Sequence, residues 1–202
     1  MKNRFVHLFF LALITISCNQ RPDEFFHKGI DKAKAKDYKS AIIQYSKAIE
    51  MNPRYADAIF NRGNAKYILH DLEGAIIDYN KAIEINPNDN EAYANRGIAN
   101  SDLKNYKSAI SDYDKAIELN PNNKEVYYNR GNAKGQLEDY VGAIMDYTIS
   151  IKLNPSYKKA YVHRGLSLLA IGQKTDACID FNKAKELGDS EASDLLNEYC
   201  KK

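Results

Sequence analysis

An all-α solenoid of five helix-turn-helix units, closed by a C-terminal helix, is the fold class this 202-residue sequence predicts. Three observations predict it. Pro53, Pro87, Pro121 and Pro155 recur every 34 residues, and Gly29, Gly63, Gly97, Gly131 and Gly165 recur on the same ruler. Ala41, Ala75, Ala109, Ala143 and Ala177 hold the twentieth place of each unit, and Tyr45, Tyr79, Tyr113, Tyr147 and Phe181 the twenty-fourth. A fixed period of this length signals an array of repeated units rather than one unique core. The units are 22–55, 56–89, 90–123, 124–157 and 158–191.

The chain opens on a different object. Lys2 and Arg4 precede an apolar stretch from Phe5 to Ile16, too short to cross a bilayer comfortably and of the length of a secretory h-region. The stretch runs into Thr15-Ile16-Ser17-Cys18, which resembles a bacterial lipobox with Thr15 where Leu is usual. That resemblance implies a signal peptide over 1–17, lipid on Cys18, and a lipidated tether over 18–21. It places the protein in a bacterial cell envelope, anchored in a membrane and facing the periplasm or exterior. Simple secretion and an uncleaved anchor are the alternatives.

Within each unit the apolar residues fall at helical spacing twice over, as Tyr93, Gly97 and Asn100 and then Ala109, Ile110, Tyr113, Ala116 and Ile117. Each unit is therefore two helices, here called A and B. Asp37, Asp71, Asn105 and Asp139 stand where a side-chain oxygen can cap helix B. The Asn-Pro pairs at 52–53, 86–87, 120–121 and 154–155 end it, because a residue before Pro is pushed out of the α region. Across each hairpin two small residues, Gly63 and Ala75 in the second unit, are expected to meet and let the backbones approach. One helical pair cannot bury its apolar face alone, so the pairs must stack.

The fifth unit has Asp189 in place of the terminal Pro, with Gly188-Asp189 as a turn. Ala192, Leu195, Leu196 and Tyr199 continue at helical spacing, which predicts a capping helix over 190–200 covering the last apolar face. Cys178 and Cys200 lie equally far from Asp189, so an antiparallel pair sets them at similar height. Cys178 also takes the place of Ile42, Ile76, Ile110 and Ile144, as a small core residue would. A disulfide and two free thiols both stay open.

The aromatic, Gly, Ala, aromatic and Pro over 34 residues resemble the tetratricopeptide repeat, here in five copies. The usual Trp is replaced by Phe25, Ile59, Tyr93, Tyr127 and Tyr161, and the usual Leu before Gly by Lys28, Arg62, Arg96, Arg130 and Arg164. The resemblance implies a right-handed superhelical solenoid that binds a protein or peptide on its concave face.

Composition narrows the functions. Twenty-nine basic and 27 acidic residues give a net charge of +2, and removing residues 1–17 takes Lys2 and Arg4 with no acid, leaving 27 of each. A neutral mature chain lacks the basic face that nucleic acid requires. His7, His27, His70 and His163 are too scattered for a metal site. Phosphate-cradling loop, zinc-protease helix and nucleophile elbow are all missing, so no enzyme, cofactor, metal or small-molecule substrate is expected.

Two polar series remain. Arg62, Arg96, Arg130 and Arg164 stand sixteen residues before Asp78, Asp112, Asp146 and Asp180, a spacing that pairs them across each hairpin as structural ion pairs. Lys28 and Gln44 replace that pair in the first unit. The sixth-place residues His27, Asn61, Asn95, Asn129 and His163 are those that the repeat resemblance turns into the groove. Three Asn amides in consecutive units form a ladder able to donate to and accept from an extended peptide backbone. Asn64 and Asn132 join them, and Phe26, Phe60, Tyr128, Tyr67, Ile30, Ile98 and Leu166 supply an apolar floor. Asn as an ordinary exposed helix residue is the competing reading.

The chaperone-tail carboxylate clamp of some tetratricopeptide domains needs cations where this chain has Phe60 or Phe26, and Glu91 or Glu125. Asp23, Asp57, Glu91 and Glu125 instead give one groove edge an acidic character favouring a partly basic partner, reversed at Lys158 and Lys159. The expected function is thus a peptide-binding scaffold. A self-associating assembly subunit and an accessory subunit of an envelope enzyme are the alternatives.

Overall fold

The computed structural model describes residues 21–200; the expected signal segment 1–17 and lipidation at Cys18 lie outside the described residues. Ten helices alternate as A and B: α1 (Pro22–Lys34), α2 (Tyr38–Met51), α3 (Ala56–Ile68), α4 (Leu72–Ile85), α5 (Asn90–Asp102), α6 (Tyr106–Leu119), α7 (Lys124–Gln136), α8 (Tyr140–Leu153), α9 (Lys158–Ala170) and α10 (Lys174–Glu186). Each A helix packs on its own B helix and each B helix on the next A helix, so the pairs stack in chain order. Among the described residues there is no strand.

The hairpin turn is set by one residue per unit. Lys36, His70, Lys104, Glu138 and Gly172 take left-handed backbone with φ of 60 to 80°. In the first unit Lys36 N–H bonds Ala33 C=O and Asp37 N–H bonds Lys32 C=O, which satisfies the last carbonyls of α1 in the Schellman manner. Helix B then begins on an aspartate: Asp37, Asp71 and Asp139 accept from the backbone N–H of Ser40, Gly74 and Gly142. Asn105, expected to do the same, makes no such bond. Its neutral amide is a weaker acceptor than a carboxylate at the positive end of a helix. Asn52, Asn86, Asn120 and Asn154 end the first four B helices with ψ near 90°, as the following Pro requires.

This turn pairs residues sixteen apart, which corrects the expected contact between Gly63 and Ala75. Gly63 faces Tyr79, and a Cβ added to it would stand 2.9 Å from that ring. Ala75 packs instead with Tyr79 and with Ala99 of the next unit. The same relation recurs throughout: Tyr45, Tyr79, Tyr113, Tyr147 and Phe181 lie over the five repeated glycines and are at most 2% exposed. Each such ring contributes about 1.5–3 kcal/mol by leaving water.

The array is closed by α11 (Ala192–Leu195) and one π-helical turn, Leu196–Cys200. Ala192 and Leu195 are buried on the last unit with Phe181 and Leu168, and Leu196 and Cys200 pack beside them. Tyr199, expected on this inner face, is 37% exposed. A π turn is wider than an α turn, so the inward position after Leu195 moves to Cys200. There it forms a disulfide with Cys178, with Cα atoms 5.8 Å apart.

Candidate functional site

The Arg–Asp series is a chain of clamps. Arg62, Arg130 and Arg164 each grip their aspartate with two bonds of 2.6–2.9 Å, and Arg96 holds Asp112 through Nη2 at 2.5 Å and a shared Nε at 3.0 and 3.1 Å. The third nitrogen of each guanidinium reaches back to the preceding unit, to Ser46, Asn80, Asp114 and Thr148 in turn. Arg96, Arg130 and Arg164 also stack on Tyr93, Tyr127 and Tyr161, with centroid distances of 5.4–5.7 Å. The partners Asp78, Asp112, Asp146 and Asp180 are buried. Lys66 adds a second cation on Asp78 and Lys134 on Asp146, each at 2.8 Å. The acceptors at the twenty-fifth place escaped the sequence reading. Their signal was present, since every one carries an oxygen sixteen residues ahead of an arginine. Lys28 pairs with no aspartate among the described residues; it lies over the Phe25 ring at 5.3 Å.

Groove-directed residues lie along the A helices, and they are not equivalent. Asn61 turns its amide onto Asp57 C=O of its own helix at 2.8 Å. Asn95 donates to Asn64 Oδ1 at 2.9 Å, and the same oxygen accepts from Tyr79 hydroxyl at 2.8 Å. Asn132 Oδ1 likewise accepts from Tyr147 hydroxyl at 2.8 Å. Asn129 makes no side-chain hydrogen bond among the described residues and lines a pocket with Asn132. His27 is exposed beside Phe26, whereas His163 packs on Tyr128 at 5.3 Å and Tyr147 at 6.0 Å. Burial pulls the His163 imidazole below its ordinary pKa. Phe26, Phe60 and Tyr128 tilt against the core rings of Tyr45, Tyr79 and Tyr147 at 5.9–6.0 Å.

Two neighbouring pockets open along these helices. One of about 340 Å³ lies between the second and third units, walled by Asn64, Tyr67, Ile68, Tyr79, Asn95 and Ile98. The other, about 230 Å³, lies between the third and fourth units and shares Ile98; Ser101, Asp102, Tyr106, Asn129, Asn132 and Gln136 give it a more polar wall. Asp102 stands between the two, accepting from Tyr67 hydroxyl at 2.7 Å. Burial, with that hydrogen bond, pushes the Tyr67 hydroxyl up to about 12. Asp102 and Ile68 were not picked out from sequence. Asp102 is the one acid at a place held by Lys34, Ile68, Gln136 and Ala170 in the other units. Asp23, Asp57, Glu91 and Glu125 are exposed in the first turns of α1, α3, α5 and α7, where acids also suit the helix dipole.

The described residues contain no cluster of His, Cys, Asp or Glu able to hold a metal ion. No helix among them is long and apolar enough to cross a membrane. What the site offers is hydrogen-bonding amides beside one largely apolar and one more polar pocket.

The repeating helical pairs define a helical-repeat protein with an inner groove. Residues 56–89 and 91–123 match one tetratricopeptide repeat family model, and residues 112–145 match a second, so the chain carries tetratricopeptide repeats. Among solved structures it is similar to MamA, at 26% identity and a TM-score of 0.77 over 82% of this chain and 96% of that one. MamA residues 41-end from Desulfovibrio magneticus RS-1 align at 19% identity and a TM-score of 0.79, covering 82% and 94%. YrrB, described as a tetratricopeptide repeat protein with an unusual peptide-binding site, aligns at 18% identity and 0.77, covering 86% and 90%. The last two likenesses speak to the fold alone. No curated protein matches the sequence.

Proposed function

We propose that this protein is a non-catalytic scaffold that holds an extended peptide segment of a partner protein in its groove, and that it is exported and tethered to a membrane by lipid on Cys18. The observation that carries the binding reading is the run of amides beside two pockets. Asn64 Oδ1 is filled by Tyr79 and Asn95, which leaves the Asn64 N–H groups and Asn95 Oδ1 for a ligand. Donor and acceptor together match a peptide group, and the apolar walls match its side chains. YrrB, of the same fold, is described by its own peptide-binding site.

The test is a triple variant, Asn61→Ala, Asn95→Ala and Asn129→Ala, assayed against immobilised extended peptides. Each lost bond costs about 0.5–1.5 kcal/mol, so the triple variant loses retention while keeping its helical circular dichroism. Undiminished retention overturns the groove reading. Tethering rests on Lys2, Arg4, the stretch Phe5 to Ile16 and Ser17-Cys18. Cys18→Ala is expected to move the protein out of the membrane pellet or to leave a longer precursor; unchanged processing and fractionation overturn it.

One observation favours self-association as a second reading. Ile43, Ile77, Met145 and Ile179, at the twenty-second place of four units, are 54–66% exposed on the B helices. A concentration-dependent oligomer in light scattering, abolished by Ile77→Ser and Met145→Ser, would support it.

A further inference from the structure

We propose that the groove selects its peptide by a large aliphatic or aromatic side chain seated between the second and third units and by a Lys or Arg a few residues away that pairs with Asp102. This deepens the groove reading above and rests on it.

The anchor follows from the larger pocket. Tyr67, Ile68, Tyr79 and Ile98 make most of its wall; its two amides are held by the Tyr79 hydroxyl and by each other, and the Tyr67 hydroxyl is taken by Asp102. At about 340 Å³ it sits at the low end of ligand sites, room for one side chain with its flanking peptide groups.

The basic residue follows from a census of charge on α3, α5 and α7. Arg62 and Lys66 are bound to Asp78, Arg96 to Asp112, Arg130 and Lys134 to Asp146, and Lys124 to Glu125. Every cation on these three helices is thereby paired, while Asp57, Glu91 and Asp102 have no cation partner among the described residues. Asp102 is the one placed between the pockets, and among the described residues its side chain accepts a hydrogen bond from the neutral Tyr67 hydroxyl alone. It is also the last residue of α5, where the helix dipole disfavours a negative charge, so its place there costs the helix stability. A ligand cation would compensate both the charge and the dipole.

The probe is a positional-scanning library of acetylated, amidated hexapeptides incubated with the full-length chain in detergent. Retained peptides are expected to be enriched several-fold in Leu, Ile, Met or Phe at one position and in Lys or Arg within three residues of it. Asp102→Asn should remove the basic preference, and Asp102→Lys should invert it to Asp or Glu, both keeping the apolar preference. Neither change threatens folding, because each relieves the charge at the end of α5. A basic preference unaltered in Asp102→Lys overturns the inference, as does selection for apolar residues alone or no selection at all. Selection that is lost in the triple Asn variant but indifferent to Asp102 keeps the groove reading and removes this inference. Selection untouched by the triple variant removes the groove itself.

Discussion

At Gly97 an absent side chain sets the distance between two helices. A Cβ there would stand 2.7 Å from the Tyr113 ring, which is itself 1% exposed and hemmed in by Ala109, Ala116 and Val126. Gly97→Ala gains about 1 kcal/mol of helix preference but forces a ring that cannot yield, at about 1–3 kcal/mol. Its net effect is a loss of about 1 kcal/mol. Gly135 supplies the contrast, since nothing lies within 4 Å of its missing Cβ on α7. Gly135→Ala should therefore raise stability by roughly 0.5–1 kcal/mol. Urea midpoints of the two variants must move in opposite directions; a shared direction would refute the packing role of Gly97. The repeated glycine and aromatic are both plain in the sequence, but that they face each other is not. Their register depends on left-handed turns at Lys36, His70, Lys104 and Glu138, residues whose identity does not announce φ above zero.

Among the elements, the cap shows where periodicity stops being informative. Ala192 and Leu195 keep the expected inward spacing, and then one wide turn exchanges Tyr199 for Cys200. The sequence left bridge and free thiols open because the equal distances of Cys178 and Cys200 from the turn fit both. The bridge ties an eleven-residue tail to α10 across a sequence separation of 22. Closing a loop of this size stabilises by about 3 kcal/mol in the chain-entropy account. Cys200→Ser, or a dithiol reductant on the parent protein, should lower the unfolding free energy by that order, with loss of hydrogen-exchange protection concentrated in α10 and the cap. Thiol counting on denatured, unreduced protein checks the premise, and two free thiols besides Cys18 would sink it. The capping aspartates and the Asn-Pro ends of the B helices, by contrast, were legible because one residue suffices to make each.

Over the whole molecule, stability is passed from unit to unit, since each pair touches chiefly its neighbours. Repeat number, helix order and the Arg–Asp pairing were all readable from the 34-residue ruler. The charge excess at Asp102 was not, because it emerges only once Lys66, Lys134 and the arginines are seen to be taken. The arginines do more than close their own hairpins. Arg96 joins α5 to α6 through Asp112, to α4 through Asn80, and lies on Tyr93. Arg96→Ala would leave the Asp112 carboxylate, 5% exposed, with the Asn100 amide as its remaining partner. Breaking a fully buried pair costs 3–5 kcal/mol, and the partial exposure of Arg96 discounts this to about 2–3 kcal/mol. Lys28→Ala, at the matching place of a unit without the aspartate, should cost under about 0.5 kcal/mol. The loss at Arg96 falls on the junction of two units, so it should also reduce the coupling between them. Native-state hydrogen exchange then reports it: in the parent, α3 to α8 open together, whereas in Arg96→Ala the first two units open at lower free energy than the last three. Equal losses in the two variants, or an unchanged single opening unit in Arg96→Ala, would show that stacking of the apolar faces alone carries the array and that the clamps are ornaments of its surface.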